Sequence, residues 1–422
     1  IICALSLVAC ATFNPQPMQE VPFLERAQTQ NRNGITVTAA VLSPEESKQA
    51  FGVNLARKGI QPVWLKIENQ TDGPINLLWV ALDPEYFSAR EAAYKSRLRF
   101  RGSQNKKMAR YFAEHELHGF IPPGGFDSGF IFANLDMGAK YVNVLVYAFR
   151  GQESFTFYFE VPGLKVDFEH VDFDALYSDD EIVDYEDEVE FRAALEALPC
   201  CTTKRDGTGK GDPINFVLVG NRDDMFGAFI RRGWHVTERI TKGTAWKTFR
   251  SGVFGGRYRY SPMSALYVYG RGQDLGLQKA RDTIHERNHL RLWLAPMRFR
   301  GEEVFLGAIS RDIGVYFTTR AWNLTTHAID QDIDESRSYL LEDLVMSQSV
   351  KKIGYVRGVG AATEENPHRN LMKAPWWTDG TRAVFLFSHE PTGLTELELW
   401  PWAWGDEETT EAINEYLRRQ SK

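Results

Sequence analysis

From Ile35 to about Phe168 apolar and polar residues alternate with a period of two, in runs such as Ile35-Thr36-Val37-Thr38, Pro62-Val63-Trp64-Leu65-Lys66-Ile67, Tyr141-Val142-Asn143-Val144-Leu145-Val146 and Phe155-Thr156-Phe157-Tyr158-Phe159. That period belongs to strands with one buried face. Turn chemistry separates the runs, as at Asn69-Gln70-Thr71-Asp72-Gly73 and Pro122-Pro123-Gly124-Gly125. Residues 35–168 therefore predict an immunoglobulin-like β-sandwich. Helical inserts are expected at Pro44 to Phe51 and around Ala89 to Leu98.

After Asp212 the texture becomes mixed. Ile214 to Gly220 reads as a buried strand, and a helix follows at Asn221, where Met225, Phe226, Phe229 and Ile230 recur at helical spacing before Gly233. Strands are predicted at Ala265 to Tyr269, Leu290 to Leu294, Val304 to Ile309, Gly314 to Phe317, Ile353 to Val356 and Ala383 to Phe387. A second helix over Asp332 to Gln348 carries Leu340, Leu341, Leu344 and Val345 on its inner stripe. Residues 212–390 thus predict an α+β domain. Residues 391–422 are expected to form a Trp-rich tail ending in a helix near Glu407 to Arg419.

Composition changes the picture only in detail. A chain of 422 residues with 43% hydrophobic and 25% charged residues folds into two or three domains. A net charge of -7 argues against bulk nucleic-acid binding. Ten carboxylates and no Lys or Arg occupy Asp172 to Glu190, so the remainder carries about +3. Residues 169–211 are expected to be a solvated acidic linker, with an acidic docking segment as the alternative.

The first ten residues carry the strongest functional signal. They form a short uncharged apolar run, less than the roughly 20 residues that span a bilayer. The ending Leu7-Val8-Ala9-Cys10 matches the bacterial lipobox, in which the cysteine takes a diacylglycerol thioether and becomes the new N-terminus. Residues 1–9 then read as the end of a signal peptide, Cys10 as the lipidation site and residues 10–34 as a polar tether. Ala11 after Cys10 favours an outer-membrane anchor facing the periplasm over the inner membrane. Cys3 leaves with the signal, so Cys200 and Cys201 remain, to pair with each other as a vicinal disulfide or with another molecule, or to stand as two small buried or loop cysteines.

Three constellations carry chemistry. His285-Glu286-Arg287-Asn288-His289 spells H-E-x-x-H, the zinc pattern in which two histidines share a helical face. The alternation of His289-Leu290-Arg291-Leu292-Trp293-Leu294 instead puts His289 on or entering a strand, where residues four apart do not converge. Asp330, Asp332 and Asp334 could present oxygens to Ca²⁺, but Glu335 stands where an EF-type loop needs Gly, and a helix N-terminus capped by Asp330 or Asp332 explains them as well. Ser310-Arg311-Asp312-Ile313-Gly314 and Thr378-Asp379-Gly380-Thr381-Arg382 read as turns. If the fold gathers His289, Asp312, His327 and Asp330, a pocket for a divalent cation or for acid–base chemistry results. His115 and His118 read as surface residues. No cofactor is expected beyond that possible metal.

Asp212-Pro213-Ile214-Asn215-Phe216-Val217-Leu218-Val219-Gly220, Ser264 to Asp274, His289-Leu290-Arg291-Leu292-Trp293 and Thr326-His327-Ala328-Ile329-Asp330 together resemble the LssY-like C-terminal domain family over roughly Asp212 to Ser388. The resemblance implies envelope biology, because the domain also accompanies membrane modules of DedA-like or phosphatidic-acid-phosphatase-like type. It carries over no catalytic residue. The function expected is that of a membrane-anchored envelope lipoprotein that binds or scaffolds an envelope protein, lipid or glycan; the alternative is a metal-assisted hydrolase acting on an envelope lipid or glycan.

Overall fold

The computed structural model describes residues 13–99, 101–136, 139–148, 151–162, 171–236, 265–280, 287–317, 325–400 and 402. The chain divides into two compact units, residues 1–165 and 166–422.

The N-terminal unit contains two four-stranded antiparallel sheets. One pairs β1 (Gln28–Arg32), β2 (Ile35–Val41), β3 (Ile60–Asn69) and β6 (Phe126–Asn134); the other pairs, in the order β5-β4-β7-β8, β4 (Ile75–Leu77), β5 (Phe120–Ile121), β7 (Ala139–Ala148) and β8 (Gly151–Glu160). Alternate residues of both, including Val37, Leu65 and Ile131 on one and Val142, Val144 and Phe157 on the other, share one buried core, so the unit is sandwich-like. Helices α1 (Pro44–Phe51), α2 (Trp79–Leu82), α3 (Ala89–Lys95) and α4 (Gly102–Glu114) accompany the strands. α1 begins in a capping box between Ser43 and Glu46, and Arg26 grips the Glu46 carboxylate at 2.7 and 2.6 Å. Helix α4 was not expected: only Met108 and Phe112 are fully buried along its 13 residues, too few for a legible stripe.

The expected tether over residues 10–34 is folded from Phe13 onward. Phe13, Val21 and Phe23 are buried in a second core with Phe51, Phe112 and Phe132, and β1 pairs with β2. Large aromatics at Phe13 and Phe23 outweigh the polar residues around them.

The C-terminal unit is built on a ten-stranded mixed sheet. Its elements are β9 (Val183–Tyr185), α5 (Glu188–Glu196), β10 (Phe216–Val219), α6 (Arg222–Arg231), β11 (His235–Val236), β12 (Tyr267–Val268), β13 (Arg271–Gly272), β14 (Leu275–Ala280), β15 (Arg287–Phe299), β16 (Glu302–Phe317), β17 (Thr325–Ile329), α7 (Ile333–Val345), β18 (Val350–Arg357), β19 (His368–Arg369), β20 (Pro375–Trp376), β21 (Thr381–Phe387) and β22 (Glu398–Leu399). The main path runs β11-β14-β15-β16-β10-β21-β18-β22, with β17 on β16 and β9 on β15; β12-β13 and β19-β20 form separate two-stranded sheets. β10 and β21 are parallel, as are β15 with β9 and β18 with β22.

Three expectations change here. The acidic segment is not a bare connector: β9 joins the sheet, Asp187 caps α5, and Phe191 and Leu195 enter the core. The tail beyond residue 391 contributes β22 and two buried stacked indoles, Trp400 and Trp402, with centroids 4.4 Å apart. Ser310 to Gly314 is no turn, because β16 runs unbroken through it for 16 residues. The polar residues there are buried against partners on β15, which composition cannot reveal. The expected helix near Glu407 to Arg419 lies outside the described residues.

Candidate functional site: a buried polar row across three strands

The registers of β14, β15 and β16 place Gln278 opposite His289, and His289 opposite Ser310. The next row holds Ala280, Arg287 and Asp312, and the row on the other side holds Gly276, Arg291 and Ala308. Paired residues and residues two apart share a face, so Arg287, His289, Arg291, Ser310, Asp312 and Gln278 stand on the same side of the sheet. All six are buried. Further along the same face the strands turn apolar at Trp293, Leu306, Val217 and Val384. The Asn215 side chain closes the gap beside β16, accepting from Ile309 N and donating to Ile309 O at 3.0 and 3.1 Å.

Within the row the Arg287 guanidinium donates to Asp312 Oδ2 at 3.0 Å and to Gln278 Oε1 at 2.7 Å. Ser310 Oγ lies 2.9 Å from His289 Nε2, and His289 Nδ1 lies 3.5 Å from Asp312 Oδ1. Arg291 faces Asp212 at 3.6 Å. Burial pulls the Arg291 guanidinium below its ordinary pKa against the opposing charges of Asp212 and Asp312, and Arg287 adds to the fall. Burying these charges costs several kcal/mol of hydration per ion, and well-packed apolar side chains in place of such pairs are often neutral or stabilising.

Two other charged sites on this unit are structural. Arg382, fully buried, donates to five backbone carbonyls: Ile214, Leu195, Leu198, Pro199 and Gly358. Two of them lie at the end of α5, where orphan carbonyls need donors. Burial brings the pKa of this guanidinium down to about 10. Gly358, at φ 130, lets the chain pass close: an added Cβ would meet Arg382 Nη1 at 3.0 Å. Arg337 on α7 forms a two-pronged bond with Asp379 at 2.9 and 2.7 Å, while Asp334 accepts from Thr378 Oγ1 and Asp379 N. Burial raises the pKa of Asp334; Asp379 is held below its usual range because Arg337 outweighs its burial.

The sequence-stated candidates separate accordingly. His289 and Asp312 come together, and His289 sits on strand β15, as its alternation predicts. His285 and Glu286 of the H-E-x-x-H motif lie outside the described residues. His327 is on β17 opposite Val315, and its side chain is outside the described set. Asp332 caps α7 by accepting from Asp334 N, Asp330 accepts from Asp332 N, and Asp334 is taken by Thr378 and Asp379. The three aspartates thus serve separate partners at a helix start. Among the described residues no group of three or more His, Cys, Asp or Glu side chains could hold a metal ion. Cys200 and Cys201 are joined as a vicinal disulfide, with Cys201 packed on Ile333, Val359 and Trp376. Cys10 lies outside the described residues. His115 Nδ1 meets Tyr111 O at 2.8 Å, and the His118 side chain is exposed.

Arg287, Arg291, Ser310 and Gln278 were not singled out by sequence. The period-two spacing of Arg287, His289 and Arg291 was the available signal, but polar residues alternating with Leu290 and Leu292 ordinarily mark a solvent-facing side.

Fold and site define a two-part protein: a sandwich-like antiparallel unit followed by a mixed α/β unit with a charged row inside it. Residues 193–381, which include that row, Arg337, Asp379 and the cysteine pair, match the family model described as LssY C-terminus. No curated protein matches the chain.

Proposed function

We propose that this protein is a bacterial envelope lipoprotein, anchored through lipid on Cys10 to the periplasmic face of the outer membrane, with a binding or scaffolding role. The carrying observation is the sequence Leu7-Val8-Ala9-Cys10 placed three residues before Phe13, which is already packed in the N-terminal unit. An acylated cysteine there would hold a folded domain against the membrane without an intervening tether. The C-terminal unit, with its family match, then supplies recognition of an envelope protein, lipid or glycan. Among the described residues no helix is long and apolar enough to cross a membrane. Metabolic labelling with an alkyne palmitate in a bacterial host tests the anchor: label on the parent chain and none on Cys10→Ala is expected, and equal labelling or none on both contradicts it.

A hydrolase reading is favoured by one specific observation, the line Ser310 Oγ, His289 Nε2, His289 Nδ1, Asp312 Oδ1. Its connectivity is that of a nucleophile, a general base and an orienting carboxylate. Such a line would attack an acyl ester of an envelope lipid or glycan without needing a metal. A fluorophosphonate probe should label Ser310 in the parent chain and fail on Ser310→Ala and His289→Ala; a folded parent that stays unlabelled removes the reading.

A further inference from the structure

Residues 89–114, which hold α3 and α4, carry eight Lys or Arg against only Glu91 and Glu114, in a chain whose net charge is -7. The helix pair is amphipathic in an unequal way. Ala92, Ala93, Met108 and Phe112 are buried in the aromatic core of the N-terminal unit, while α4 turns Lys106, Lys107 and Arg110 to solvent. α3 and the turn after it expose Arg90, Lys95 and Arg97. Lys95 shares its charge with Glu91 at 3.7 Å, an exposed pair of little strength, but among the described residues no ion pair forms at Arg90, Lys106, Lys107 or Arg110. Tyr94 stands 63% exposed beneath the Arg97 guanidinium, an aromatic body with a polar tip of the kind that settles at a membrane interface.

The position of this face relative to Cys10 gives it meaning. Phe13 is seated on α4: its backbone N–H donates to Gln104 Oε1 at 3.3 Å and its ring meets Tyr111 edge-on at 5.6 Å. Gln104 and Tyr111 flank Lys107 at the three- and four-residue helical spacings, so the seat of Phe13 and the basic stripe adjoin on one helix. Cys10 precedes Phe13 by three residues in the sequence, a length of chain that spans at most about 11 Å.

We propose that the exposed basic face of α4, continued by α3, is a docking surface for an anionic phospholipid bilayer. The proposal deepens, and rests on, the anchored reading: lipid on Cys10 would bring the α4 face to the headgroups, and the headgroup phosphates would meet Lys106, Lys107 and Arg110. One acyl signal alone gives marginal and reversible attachment, and a polybasic surface is the usual second signal. Each cation at an anionic leaflet contributes roughly a fivefold gain in partitioning, so three contribute on the order of 100-fold.

Vesicle co-sedimentation of the full chain carrying Cys10→Ala tests the face without the anchor. Binding is expected to vesicles containing phosphatidylglycerol, weak binding to phosphatidylcholine alone, and release at high salt. The variant K106Q/K107Q/R110Q should lose on the order of 100-fold in partitioning while keeping the parent unfolding curve, since all three side chains are exposed. Arg57→Gln, elsewhere on the same unit and also exposed, is the control and should change little. Equal binding to neutral and anionic vesicles, or full binding by the triple variant, overturns the docking surface. Palmitate labelling reads the anchor separately, so failure of one leaves the other standing or fallen on its own result.

Discussion

The two units bury charge in opposite ways. In the N-terminal unit the cores are sheets of Val, Ile, Leu and Phe, and its buried ion pairs, Arg26 with Glu46 at a helix cap and Lys140 with Asp136 at the start of β7, sit at element ends. In the C-terminal unit the sheet itself carries Arg287, His289, Arg291 and Asp312 in its interior, with Arg382 beside them on β21. Apolar burial contributes roughly 25 cal/mol per Å², whereas each buried ion loses several kcal/mol of hydration before its partners restore any of it. The first unit therefore keeps its buried charge at element ends, whereas the second carries several such costly charges inside one sheet.

The largest break of that contrast should come at Arg382. Arg382→Met removes the shared donor of five backbone carbonyls, three of them on the buried residues Ile214, Leu195 and Leu198, and a loss of about 3–5 kcal/mol is expected in the C-terminal unit. Chemical denaturation followed by probes in each unit should show that transition move while the N-terminal one stays. Phe51→Ala is the mirror test. Its ring meets Phe112, Phe130 and Phe132 at 4.8, 5.0 and 5.2 Å, and its removal should cost about 3–4 kcal/mol in the N-terminal unit alone. Transitions that shift together in either variant would contradict the division.

Asp312 sharpens the contrast. Asp312→Ala takes away the carboxylate that neutralises the buried Arg287 guanidinium, which keeps the neutral Gln278 acceptor, and should cost about 3 kcal/mol, while Arg287→Met with Asp312→Leu should recover most of that loss because the charge leaves with its partner. A double variant as unstable as the single one would mean that the row is structural. The smallest effect concerns acid. Burial opposes ionisation of Glu46, but hydrogen bonds from Arg26 and from Ser43 hold its pKa below the ordinary 4.5. A depressed carboxylate stabilises the fold above its unfolded pKa and loses that contribution as pH falls through the folded value, so the N-terminal transition should weaken from about pH 5 downward. Glu46→Gln should flatten that slope at a cost of about 1 kcal/mol near neutral pH.

Strands and caps were legible wherever one local rule sufficed. Asn221 and Asp332 cap the helices that their spacing announces, and Pro44–Phe51 is the helix expected from its start signals. What escaped needed a partner distant in sequence. Ser310 and Asp312 read as turn residues until β15 supplies His289 and Arg287 across the ladder, 21 and 25 residues away. Residues 10–34 read as tether because their two aromatic anchors, Phe13 and Phe23, are spaced too far apart to show a period. Trp400 and Trp402 read as a tail because nothing local says that α5 and the β16 face await them.

The most direct test of the account is the intact mass of the N-terminus of the protein extracted from a bacterial membrane after expression of the precursor. The account predicts a mature chain beginning at Cys10 with a diacylglycerol thioether on Sγ, absent from Cys10→Ala. A chain that retains residues 1–9, or one that begins elsewhere with an unmodified Cys10, would contradict it.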